Sequence, residues 1–142
     1  MCVIKLAFCG DVCNYCPRYI ATLSGNEEEL TRAAEIMKKV GWPYNLEDPK
    51  KMKCRGCQDV KSCEYKVKEC CIERKIKNCG MCVSYPCVKI ENAFEKTNIN
   101  ANNFKKILSP EEYKIFSKAY FSKKNNLAMV RRNFKKELWF YV

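Results

Sequence analysis

Cys54-Arg-Gly-Cys57 and, further on, Cys79-Gly-Met-Cys82-Val-Ser-Tyr-Pro-Cys87 are the stretches that decide how this chain is built. Each Cys-x-x-Cys turn carries a glycine between its thiols. That spacing lets two sulfurs face one ion at about 2.3 Å, while glycine tolerates the tight turn. One such pair is ambiguous, because redox dithiols share it. Two pairs separated by 21 residues resemble the paired knuckles of a ribbon-like zinc site. Cys63 and Cys70 lie between the pairs and offer an alternative local site with Cys54 and Cys57.

Twelve of the 142 residues are cysteine and none is histidine. The missing imidazole removes Ser-His and Cys-His catalysis and every mixed Cys/His zinc site. Disulfides, all-thiolate metal sites and thiol redox chemistry remain. The N-terminal Met1–Cys9 stretch has no cationic n-region or small-residue cleavage site, so a cytosolic setting is expected. Clustered cysteines there bind metal more often than they form disulfides. No apolar run approaches the roughly 20 residues of a membrane span.

The formal net charge of +11 is uneven. Residues 50–90 carry 11 basic and 4 acidic side chains, and residues 101–142 carry 10 and 3. Cations among the central cysteines favour the thiolate form, so part of the excess has a local purpose. In the C-terminal segment, Arg131, Arg132, Lys135 and Lys136 lie near Phe134 and Trp139. They offer a surface for nucleic acid or an acidic protein. The competing reading, a solvated helix face over an aromatic core, is favoured, because an ordered set of stacking aromatics between the basic residues is not evident.

Helix signals are plain. Asn26 is the expected N-cap of a helix whose first turn is Glu27-Glu28-Glu29, with Glu29 at the capping-box position. Leu30, Ala33, Ala34, Met37 and Val40 form its apolar face, Gly41 ends it and Pro43 blocks continuation. Pro17 starts a shorter helix with Cys16 as N-cap, and Pro86-Cys87 repeats the arrangement, with Val88, Ile90, Ala93 and Phe94 available to pack. Ser62 to Lys77 reads as helix. Ser109-Pro110-Glu111-Glu112 opens another, broken at Asn125-Asn126, after which Leu127, Val130, Phe134 and Leu138 give a last amphipathic helix. Strand signals are weak. The expected fold is mainly α with small irregular or β knuckles: a metal-stabilised cysteine-rich domain over 1–97 and a basic helical extension over 98–142 packed on it.

Cys9-Gly-Asp-Val-Cys13-Asn-Tyr-Cys16-Pro17 has the three-then-two spacing that radical S-adenosylmethionine enzymes use for a four-iron cluster. Those enzymes need a barrel of roughly 200 residues or more, and only 126 follow Cys16. Three close thiolates still call for a fourth ligand, from Cys87 or a central cysteine. Cysteine alone does not separate zinc from iron–sulfur.

Cys9-Gly10 through Cys16-Pro17, Cys54-x-Gly-Cys57, Cys70, Asn78-Cys79-x-x-Cys82 and Tyr85-Pro86-Cys87 occur in that order. The arrangement resembles the prokaryotic zinc-binding family known as domain of unknown function 3795, over about residues 6–96. The resemblance implies metal-ligand roles for Cys9, Cys13, Cys16, Cys54, Cys57, Cys70, Cys79, Cys82 and Cys87. The spacing departs from the family's around Cys63, which is counted as a tenth candidate. Cys71 stands where the family usually has a small residue and Cys2 precedes the matched region, so both are expected to be free thiols. The resemblance implies no activity.

The reading is therefore a cytosolic, non-catalytic binding or assembly module with two all-cysteine zinc sites. The expected partition is Cys9, Cys13 and Cys16 with Cys87, and Cys54 and Cys57 with Cys79 and Cys82. Chelation is expected to unfold residues 6–96 cooperatively. The alternatives are an iron–sulfur or zinc-thiolate redox or transfer protein, and a nucleic-acid-binding zinc module.

Overall fold

A computed structural model describes residues 4–42, 48–57 and 63–140, with the side chains of 49 and 135–140 excepted. Its order is a 3-10 turn at Cys13–Tyr15, α1 (Pro17–Ser24), α2 (Glu27–Lys39), a 3-10 turn at Pro49–Met52, α3 (Val67–Arg74), a 3-10 turn at Cys79–Met81, α4 (Val88–Ile107), α5 (Pro110–Tyr120) and α6 (Lys123–Phe140). The fold is mainly helical, as expected. β structure among the described residues amounts to one isolated antiparallel bridge, Leu6 with Val12.

The strongest sequence signals appear where they point. Pro17 opens α1 behind Cys16. Asn26 caps α2, its side chain accepting from the amides of Glu28 and Glu29. The capping box expected there is relayed: Ser24 Oγ accepts from the Asn26 amide at 3.3 Å and donates to Glu29 at 2.7 Å. At the other end Gly41 takes φ +85°, and the Gly41 and Trp42 amides return to the carbonyls of Lys38 and Met37. That pair of bonds turns the chain and aims Trp42 back at the core. The expected block at Pro43 lies outside the described residues. Ser109 and Glu112 close a complete capping box on α5.

Three expectations shift. The helix read over Ser62–Lys77 is only α3, bounded by Lys66 and Lys75, both with left-handed backbone; position 62 lies outside the described residues. α4 starts at Val88 with Cys87 as N-cap, so Pro86 precedes the cap instead of opening the helix, and Val88 is exposed. The break expected at Asn125-Asn126 falls earlier, at Phe121-Ser122. Asn126 sits within α6 and donates to the Gly10 carbonyl at 2.9 Å, a tertiary bond that overrides its weak helix propensity.

Two cores result. In the first, Leu30, Ala33, Ala34 and Met37 of α2 meet Phe104, Phe116 and Tyr120. Trp42 stacks on Phe116 at 5.7 Å between centroids and meets Phe104 and Tyr120 edge-on. In the second, Val67, Ile90, Ala93 and Leu127 surround Cys9, Cys13, Cys71 and Cys79. The boundary expected at 97/98 falls inside the continuous α4, which supplies Ile90 and Ala93 to one core and Phe104 to the other.

α6 seats on the knuckles through glycine. A Cβ on Gly10, whose φ is +98°, would stand 2.8 Å from the Lys123 carbonyl oxygen and 2.9 Å from Leu127. One on Gly80 would stand 2.9 Å from Val130. Neither position has room for a side chain.

Candidate metal centres

Two of the 3-10 turns are copies of one device. In Cys13-Asn-Tyr-Cys16 the Cys16 amide donates to the Cys13 carbonyl at 3.0 Å, and in Cys79-Gly-Met-Cys82 the Cys82 amide donates to that of Cys79 at 3.1 Å. Both turns bring the two thiols of a Cys-x-x-Cys to one side. The knuckles also touch, because the Cys79 amide donates to the Phe8 carbonyl at 2.9 Å. Asn78 holds the second turn by accepting from the Gly80 amide.

The first knuckle shares a cavity of about 340 Å³ with the Cys54–Cys57 loop, so that Cys13, Cys16, Cys54 and Cys57 line one space. α1 fixes that loop. Arg18 Nε donates to the Met52 carbonyl at 2.9 Å, and Thr22 Oγ accepts from the Cys54 amide at 2.9 Å. Lys5 Nζ donates to the Arg55 carbonyl at 2.5 Å. From the aromatic core, Tyr120 donates its hydroxyl to Cys16 Sγ at 2.9 Å.

Burial pushes the Cys13 thiol up to about 12, with Cys57, Cys16 and Cys54 adding to the rise. Burial also raises Cys16 and Cys57. A cation among Cys13, Cys16 and Cys57 would offset the burial that raises them, which is the electrostatic condition of a thiolate metal site. Cys9 is buried and raised by burial and by Asp11, with Cys57 close enough to contribute. Cys63 adds to the rise at Cys57.

Asp11 and Lys123 form an ion pair of 2.6 Å beside Cys9. The contact is a charge pair without hydrogen-bond alignment at Asp11 Oδ1. Lys123 also donates to the Tyr120 carbonyl at 2.7 Å and lies 5.7 Å from the Tyr65 ring centroid. Burial works against the Lys123 charge, but Asp11, Cys9 and Tyr65 together hold its pKa above the usual lysine value.

The second cavity, also about 340 Å³, collects Cys70 and Cys71 of α3, Cys79 and Cys82 of the second knuckle, and Cys87 at the N-cap of α4. Cys71 Sγ and Cys79 Sγ are 3.8 Å apart and buried. Cations ring the opening: Arg74 donates to Cys82 Sγ at 2.8 Å and Lys89 to Cys70 Sγ at 3.2 Å. Arg131 of α6 donates to the Cys82 carbonyl at 2.7 Å.

The geometry therefore exchanges partners relative to the expected partition. Cys54 and Cys57 stand with Cys13 and Cys16, while Cys87 stands with Cys79 and Cys82. The physical reason is α1, whose Arg18 and Thr22 tie the Cys54 loop to the first knuckle. Sequence reading missed Tyr120, Arg74, Lys89 and the Asp11–Lys123 pair. Arg74 follows Cys70 and Cys71 by four and three positions on α3, a spacing that could have flagged it; Tyr120 is 104 positions from Cys16 and gave no signal. Cys2, Lys135, Lys136 and Trp139 lie outside the described residues or side chains.

Among the described residues, no group of three or more cysteine or carboxylate side chains stands, as placed, where it could hold a metal ion. The sulfurs share cavities without closing on a point, so an ion would have to draw them in. The donor set nonetheless fits one: the groups hold buried thiols, and Tyr120, Arg74 and Lys89 point hydrogen-bond donors at sulfur.

This is a mainly helical, cysteine-rich fold with two thiol-lined cavities. The model of the family described as Protein of unknown function (DUF3795) matches residues 5–92, and the chain belongs to that family. No curated protein and no solved structure matches it. The matched stretch contains both cavities' cysteines and ends inside α4, before α5 and α6.

Proposed function

We propose that this protein is a zinc-binding, non-catalytic module of the cytosol, working as a binding or assembly element with an ion in each thiol cluster. Cys13, Cys16, Cys54 and Cys57 hold one ion, and the thiols of the second cavity hold the other. One observation carries the reading. Cysteines up to 44 positions apart line one cavity, and those of three separate elements line the other. Zinc supplies charge and cross-linking here: it keeps the thiolates ionised and ties the loops to one another. The chain's own residues orient the sulfurs, through Tyr120 on Cys16 and Arg74 on Cys82. No helix among the described residues is long and apolar enough to cross a membrane.

A second reading, an iron–sulfur electron carrier, draws on the donors aimed at Cys70, Cys82 and Cys16, because such bonds tune cluster potentials. Anaerobic purification followed by metal and labile-sulfide analysis separates the two. Colourless protein with about two zinc per chain supports the first; brown protein with iron and sulfide overturns it. A nucleic-acid role through the C-terminal segment has less support, since Arg131 is engaged with Cys82.

A further inference from the structure

The second cavity holds five thiols, and a closed zinc site takes four. Two of the five, Cys70 and Cys71, are neighbours on α3, where successive side chains diverge by about 100° and do not share a face. Cys71 turns inward. It is 1% exposed and packs with Val67, Ile90 and Cys79. Cys70 is half-buried and meets Lys89, an exposed lysine, at 3.2 Å.

Two sulfurs, each about 2.3 Å from one tetrahedral ion, stand about 3.8 Å apart. That is the separation of Cys71 Sγ from Cys79 Sγ, 3.8 Å. Cys79 is itself fixed on both sides: its amide bonds to Phe8 and its turn is capped by Asn78. Arg74, one helical turn after Cys71, reaches across the cavity to Cys82 Sγ and Ser84 Oγ. α3 thus presents a buried sulfur and a cation to the same knuckle.

We infer that Cys71, and not Cys70, is the α3 ligand of the second centre, completing it with Cys79, Cys82 and Cys87, and that Cys70 stays outside the ligand set as a thiol at the cavity mouth beside Lys89. The inference rests on the two-centre reading above and assigns to Cys71 the role that the family resemblance gives to Cys70. A buried cysteine serving only as a small hydrophobe is the competing account. That account also allows a thiol–thiol contact of 3.8 Å, so the variants below separate the two.

Cobalt(II) titration of the full chain, with wild type, Cys70→Ala and Cys71→Ala compared, tests the assignment. Cys70→Ala is expected to bind as many cobalt ions as wild type, with an unchanged all-sulfur charge-transfer band. Cys71→Ala is expected to bind one fewer or to weaken the second ion by at least about tenfold, as loss of a ligand should. Wild type that takes up no ion overturns the two-centre reading itself. Wild type that binds two while Cys70→Ala loses one, or while both variants keep two or both lose one, overturns the Cys71 assignment alone. Should Cys71→Ala fail to fold, iodoacetamide mapping of zinc-loaded wild type decides. Alkylation at Cys70 with both ions retained supports the assignment; protection of Cys70 with alkylation at Cys71 overturns it.

Discussion

The core around Trp42 and the core around Cys71 and Cys79 are both buried, yet different chemistry holds them. Around Trp42, four aromatic rings pack with centroids 5.2–6.1 Å apart against an alanine-rich face of α2. Such rings bury large apolar areas and bring their own stabilisation. Around Cys71 the buried set is four cysteines with alanine and branched aliphatic side chains, and the aromatic rings, Phe8, Tyr19, Tyr65, Tyr85 and Phe94, pack at its edge only partly buried. On the reading proposed above, an ion bound by these thiols adds cross-links that the aromatic core lacks. The two are not insulated. α4 threads both, α6 lies on both knuckle glycines, and Tyr120 spans from the aromatic core to Cys16.

Metal removal should separate the cores most sharply. On chelation, hydrogen exchange is expected to rise by orders of magnitude at Cys13–Cys16, Cys54–Cys57 and Cys79–Cys87, while α2 and α5 keep most of their protection. α2 lies within the stretch 6–96 but packs on the aromatic core, so the block that loosens should omit it. Uniform loss along the chain would erase the distinction. Next in size is Phe116→Ala. The ring is fully buried, and its truncation should cost about 3–5 kcal/mol in denaturant unfolding with metal content unchanged. Loss of metal in that variant would show the cores to be one unit.

Gly80→Ala should be milder, about 1–3 kcal/mol, since the added methyl meets Val130 at 2.9 Å and the Leu127 carbonyl at 3.0 Å. Its effect should appear as α6 lifting from the second knuckle, read by exchange at Leu127–Val130. Ser109→Ala is expected to cost about 1 kcal/mol through the lost cap. The Ser109 backbone amide, assisted by Lys39, holds the Glu112 carboxyl below its ordinary value. A lowered folded pKa adds stability above the unfolded value of about 4.3, and that stability disappears as pH falls through the folded value. The Ser109→Ala variant should keep part of this acid dependence, because the Glu112 carboxylate still accepts from the position-109 amide.

The aromatic half was legible because its signals are local. Asn26, Gly41, Ser109 and the periodic apolar faces each act within a turn or two of themselves. The thiol half was legible as to ingredients and not as to partners. Which Cys-x-x-Cys meets which depends on Arg18 reaching the Met52 carbonyl and Thr22 reaching the Cys54 amide, contacts across 34 and 32 positions that no periodicity encodes. Similarly, Lys66 and Lys75 bound α3 by adopting left-handed backbone, which lysine does not advertise. Asn126 reads as a breaker until Gly10 supplies a carbonyl for its amide.

Native mass spectrometry of the purified full chain, with Cys57→Ser and Cys82→Ser beside wild type, tests the central claim most directly. Cys57 and Cys82 line different cavities. Two bound zinc ions in wild type and one in each variant is the result expected of two independent thiolate centres. Wild type without bound metal, or a single substitution that strips both ions, would contradict it.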